Sequence, residues 1–182
     1  MKIISILLML TVVMISFTAS AQKLVSSKTH FKFFSTTPAE NIEANNYKTV
    51  STIETSTGKI VFSVPMQSFE FEKALMQEHF NSKKFLDTKT NPKAKLTGNI
   101  INISQVNFKE DGSYPVEIDG NLTINGVTNS IKEKATIIVT DGKVDLKSKL
   151  DVTLSDYNIA FKKGKPSTNI AKTVEITVEA NY

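Results

Sequence analysis

The chain has no cysteine, no tryptophan and no arginine, and only two histidines, His30 and His79. Each absence excludes a chemistry. Without cysteine there is no disulfide framework, no thiolate nucleophile and no site for lipid attachment near the N-terminus. Two histidines with no paired spacing leave any metal site to carboxylates, so neither a metal nor a cofactor is expected. The net charge is +4, but lysines alternate with acidic residues instead of clustering, and arginine is missing, so nucleic acid is not an expected partner. No Ser-His-Asp or Cys-His order, phosphate loop or dinucleotide fingerprint occurs, and no enzymatic activity is expected.

Long apolar runs are absent too, apart from residues 3–17. That run follows Lys2 and precedes Ala19-Ser20-Ala21. A positive start, an apolar stretch and a small-residue cleavage site make residues 1–21 a secretory signal peptide, leaving a mature domain of residues 22–182. The run is short for a membrane span and carries no stop-transfer pattern. The expected location is the periplasm or the exterior, with no integral membrane insertion. The mature length suits one domain.

What fills the chain is alternation. Tyr114, Val116, Ile118, Gly120, Leu122 and Ile124 share one face of a strand whose other face carries Glu117, Asp119, Asn121 and Thr123. Ile131, Ala135, Ile137 and Val139 form a second apolar row; Val144, Leu146, Ser148, Leu150, Val152 and Leu154 a third; Val174, Ile176, Val178 and Ala180 a fourth. Earlier strands are expected over residues 29–35, 40–46, 49–55, 59–64 and 93–108. Asp111-Gly112, Asn125-Gly126 and Asp141-Gly142 read as tight hairpin turns. A two-residue loop at Asp141-Gly142 sets Val139 opposite Val144, Ile137 opposite Leu146 and Ala135 opposite Ser148; a slip of one residue would bury Asp145 and Lys147. About eight such strands on a meander make a closed barrel with room for one ligand.

One segment breaks the pattern. After the strand carrying Ile60, Phe62 and Val64, Pro65 ends the ladder, and Phe69 and Phe71 lead into Leu75, Met76, His79 and Phe80 at helical spacing, stopped by Asn81. Asn91-Pro92 turns the chain back into a strand. The insertion is aromatic on one side, and a barrel mouth is what it is expected to cover.

The same block carries a resemblance. Val64-Pro65-Met66, Ser68-Phe69, Phe71, Met76, His79-Phe80-Asn81 and Phe85, followed by Pro92-Lys93-Ala94 and Gly98, resemble the YceI-like family of lipocalin-like, polyisoprenoid-binding periplasmic proteins. Residues 35–44, 111–116 and 120–128 extend the likeness over nearly the whole mature chain. It implies an all-β fold, an extended antiparallel eight-stranded lipocalin-like barrel with a short helical cap. It also implies a carrier for a long-chain amphiphile, an isoprenoid or fatty-acyl lipid. The family often has histidine before the Gly-Val-Thr turn, where this chain has Asn125, so no role of that histidine carries over.

The candidate ligand-binding residues follow from the inward register: Phe31, Phe33, Ile60, Phe62, Leu96, Ile100, Val116, Ile118, Leu122, Ile137, Leu146, Leu150, Val174 and Ile176 as a tunnel wall. Phe69, Phe71, Leu75, Met76, His79, Phe80, Phe85 and Leu86 form the lid, as an active gate or as a plain plug. The small inward residues Gly98, Gly120, Ala135 and Ser148 fit either a mid-barrel void or relief of crowding where a twisted sheet curls; joined to the resemblance, they favour the void. His79 reads as a packing residue, or as a ligand-contacting or pH-sensing one. Glu133, alone among charged residues in that apolar row, reads as an exposed rim residue or a headgroup contact. Two other functions share the alternation: a small outer-membrane barrel, with Tyr182 closing a terminal strand, and a solid-core structural or stress-related interaction module. A homodimer would need an outer apolar patch larger than Val61 and Ile138.

Overall fold

Alternating side chains with one apolar face make the strands of this protein long, because each must lie against others to bury that face. A computed structural model describes residues 22–37, 40–159, 161–162, 165–166 and 171–182. The sequence also places a loop over residues 162–168; much of it, like the expected signal peptide, lies outside the described residues. In chain order the strands are β1 (Lys23–Thr36), β2 (Asn41–Glu54), β3 (Lys59–Pro65), a short β4 (Glu70–Phe71), β5 (Lys93–Ile100), β6 (Gly112–Ile124), β7 (Val127–Thr140), β8 (Lys143–Thr153), the small pair β9 (Phe161–Lys162) and β10 (Lys165–Pro166), and β11 (Thr173–Asn181). The helix α1 (Ala74–Asn81) follows β4.

The neighbours run β1-β11-β8-β7-β6-β5-β3-β2, and β2 returns to β1, so eight antiparallel strands close a barrel. The expected register holds: Thr140 faces Lys143, Val139 faces Val144, Ile137 faces Leu146 and Ala135 faces Ser148. Both tight hairpins carry positive φ at their two central residues, 49° and 73° at Asp141-Gly142 and 52° and 76° at Asn125-Gly126. Such turns match the right-handed twist of the strands they join. Outward rows carry Glu117, Asp119, Lys132, Lys134, Lys147 and Lys149, not the apolar belt of a lipid-facing barrel.

Three local expectations are corrected. Asp111-Gly112 is no hairpin: Gly112 opens β6 opposite Val139, and the Asp111 carboxylate accepts the Asp141 N–H at 3.0 Å. The strand expected over 93–108 stops at Ile100, and a 3-10 turn occupies Ile103–Gln105. Asn102 is the cause, since its carboxamide takes the place of a strand partner, accepting from Glu117 N at 2.9 Å and donating to Pro115 O at 3.1 Å. Conversely, residues 40–46 and 49–55 belong to one strand, with irregular pairing to β1 around Thr29. There Asn46 is fully buried and donates to Pro65 O at 2.8 Å while accepting from Lys48 N at 2.9 Å.

The interior divides into two clusters. One half is solid: Ile53, Ile60, Ile100, Val116, Ile137, Val139, Val144 and Ala180 pack with Val106, and Leu24, Ile103, Phe108 and Tyr182 close over them. The other half gathers Phe33, Val64, Met66, Phe69, Phe80, Leu86, Val152, Leu154 and Val174 beneath the segment that contains α1.

Gly98 and Gly120 face each other between β5 and β6. A Cβ on Gly120 would lie 2.7 Å from Gly98 Cα and 2.7 Å from Thr97 O; one on Gly98 would lie 2.5 Å from Asp119 O. These glycines therefore mark a close backbone approach and do not border a void.

Candidate functional site

The hollow half encloses a cavity of about 630 Å³. Its floor is Phe62, Ile118, Leu146 and Val178, where the solid cluster begins. Its walls include Phe31, Phe33, Ile42, Leu96, Leu122, Leu150, Val174 and Ile176.

The lid is built from phenylalanines brought together by the insertion after β3. α1 is eight residues long, too short to be stable alone in water, and Phe80 is its one buried residue among those described. Phe80 lies 5.7 Å from Phe33, 5.5 Å from Phe69, 5.0 Å from Phe71 and 6.3 Å from Phe85, measured between ring centroids. These are ordinary spacings for stacked and edge-on pairs. Ser82 finishes the helix by donating from its backbone N–H and from Oγ to the His79 carbonyl. The lid loop is clasped to the barrel by side chains: Asn91 Nδ2 donates to Asn125 Oδ1 at 2.9 Å, and Asn125 Nδ2 donates to Tyr157 O at 3.2 Å. Asn125 thus ties lid to wall.

Polar groups on the cavity are few. Glu40, His79 and Lys84 on the lid side and Lys95 of β5 are exposed, and Glu40 pairs with Lys73 at 2.6 Å. Ser35 and Ser148 are small hydroxyls, and Glu133 is the acid within the barrel wall. Desolvation, with Asp151 as a like charge nearby, holds the Glu133 carboxyl above the usual carboxylate range.

Of the residues expected to meet a ligand, the cavity brings together Phe31, Phe33, Phe62, Phe69, Phe71, Met76, His79, Phe80, Phe85, Leu96, Ile118, Leu122, Leu146, Ser148, Leu150, Val174 and Ile176, with Leu86 from the lid. It does not include Ile60, Ile100, Val116 or Ile137, which lie in the solid half because the β5–β6 connection folds Val106 against them. Gly98, Gly120 and Ala135 also lie away from it, and Leu75 is 61% exposed on the outer side of α1. Sequence reasoning missed Ile42, Val64, Met66, Ala94, Ile124, Ile131, Val152, Leu154, Ile159 and Val178 as lining. Ile131 and Val152 already stood in the apolar rows, but nothing in the rows says which end of a strand borders space.

A closed antiparallel barrel with an apolar internal cavity defines a lipocalin-like protein. The family is specific: the YceI-like domain matches residues 14–182, and the chain belongs to that family. UPF0312 proteins of Pectobacterium atrosepticum and Pectobacterium carotovorum are 25% identical over 127 residues, 66% of this chain. The chain spans 62% of the length of those relatives. Among solved structures, a polyisoprenoid binding domain from Saccharophagus degradans, implicated in plant cell wall breakdown, superposes with a TM-score of 0.73 at 12% identity, covering 88% of this chain and 97% of that one. BcnA of Burkholderia cenocepacia gives 0.72 at 17% identity, covering 85% and 96%. A YCEI protein of Campylobacter jejuni gives 0.54 at 20% identity, covering 79% and 86%. These likenesses are of fold.

Proposed function

We propose that this protein is a non-catalytic binding or carrier protein for one long-chain amphiphile, a polyisoprenoid or fatty-acyl lipid, working in the periplasm after removal of residues 1–21. The observation that carries the reading is the apolar cavity of about 630 Å³ beneath a lid held mainly by ring contacts. Volumes of about 300–1,000 Å³ are usual for small-molecule sites. Each buried methylene contributes about 0.8 kcal/mol, so ten of them supply about 8 kcal/mol before the costs of association. A chain of that kind needs no strong polar anchor. The Saccharophagus degradans domain, described as polyisoprenoid binding, has the same fold and supports the ligand class.

The test is native mass spectrometry on protein taken from the periplasm without detergent, followed by lipid identification. The expected result is a long-chain adduct on a chain beginning at Gln22. Protein that is empty, and that takes up no long-chain probe when offered one, would overturn the reading.

A further inference from the structure

β7 and β8 are partners for only part of their length. Their ladder runs from the Thr140–Lys143 rung to the Ala135–Ser148 rung and stops, whereas β7 continues beside β6 to Val127 and β8 continues beside β11 to Thr153. Ser148 Oγ donates to Lys134 O at 2.8 Å and finishes the paired part. At the other end Asn129 Nδ2 donates to Asp156 O at 2.7 Å, tying β7 to the 3-10 turn Leu154–Tyr157 that follows β8. Between these two points the barrel wall is split. Ile131 and Glu133 of β7 and Leu150 and Val152 of β8 border both the split and the cavity.

Glu133 is partly exposed there, and among the described residues no cation or hydrogen-bond donor meets its carboxylate. An acid in an inward register loses solvation and adds nothing to packing, so its place at the split is better explained by what it faces. Asp151 from β8 is the like charge beside it, and Tyr157 of the 3-10 turn feels its field.

The geometry points to the split as a polar outlet of the cavity, at which Glu133 selects the end group of the guest. A hydroxyl, amide or amine donates a hydrogen bond to the carboxylate and is accepted; a phosphate or carboxylate meets like charge and is refused. This rests on the proposed binding of an amphiphile, whose apolar chain occupies the cavity while its end group sits beside Glu133.

The experiment uses the mature chain loaded with N-phenyl-1-naphthylamine and three competitors of one chain length: dodecan-1-ol, dodecylamine and dodecyl phosphate. The expected result is that the phosphate-to-alcohol ratio of apparent Kd falls about tenfold from the wild type to Glu133→Gln, as follows from removing one like charge several ångströms from the end group. Asp151→Asn, on the outer register, shifts the ratio the same way by less and covers the case in which the first variant melts early. An unchanged ratio in both variants, with the probes still competing, overturns the role of Glu133 and leaves the cavity reading in place. Failure of all three probes to displace the dye overturns both.

Discussion

Replacing the ring at the centre of the lid tests how the cavity is closed. In Phe80→Ala the side chain that holds α1 is removed, together with its contacts to Phe33, Phe69, Phe71 and Phe85 at 5.0–6.3 Å. Truncating a buried phenylalanine costs about 3–5 kcal/mol, and Phe80 belongs at the lower end because one side of it faces the cavity. About 3 kcal/mol corresponds to a shift of roughly 150-fold in the docked-to-undocked ratio of the lid. Because α1 contributes no other buried residue, the loss should stay local. Amide exchange across α1 should therefore speed up by about two orders of magnitude, while amides of β6 and β7 keep their protection. Release of a bound apolar dye, followed by stopped flow, should accelerate in step. Equal loss of protection in β6 and β7, or an unchanged release rate, would refute a separately docked lid.

Other outcomes follow from the same geometry. Gly120→Ala should cost about 3 kcal/mol in urea unfolding, since the new Cβ would sit 2.7 Å from backbone atoms of β5 that cannot yield. Asn125→Gly, keeping the positive φ of 52°, should lose only the clasp to Asn91 and Tyr157, about 1 kcal/mol; Asn125→Ala should lose the turn conformation as well, about 2–3 kcal/mol, seen as two distinct drops in Tm. Burial raises Tyr182 from 10.0 to about 12, and its hydroxyl is hydrogen-bonded to Ser51 at 2.9 Å. Since the folded value is the higher one, this contribution is intact below pH 10 and is lost as pH rises toward 12, up to about 2 kcal/mol. Tyr182→Phe should flatten that decline in urea titrations between pH 9 and about 11.5, and parallel curves for the two proteins would contradict the assignment.

The hairpin at Asp141-Gly142 shows how much was legible in local pattern. Charged and apolar residues alternate on both sides of a turn that demands positive φ, so a single register keeps Asp145 and Lys147 outside. The lid helix was legible for the same reason, as a change of period from two to three and four. The 93–108 stretch was not. Its alternation continues past Ile100, and only the carboxamide of Asn102 meeting Pro115 and Glu117, fifteen residues away along the chain at most, decides that the strand ends. The glycines at 98 and 120 failed differently, because a missing side chain looks the same in sequence whether it makes room for a guest or for another backbone.

Side-chain alternation and turn chemistry determined the strands, their faces and the local hairpins, since those depend on neighbours a few residues apart. Which end of the barrel is filled and which is hollow was decided by the tertiary structure: a loop carrying Val106 turns inward at one end, and a ring of phenylalanines roofs the other. The split between β7 and β8 was likewise invisible in the sequence, because where two strands stop pairing depends on the curvature of the closed sheet and not on either strand alone.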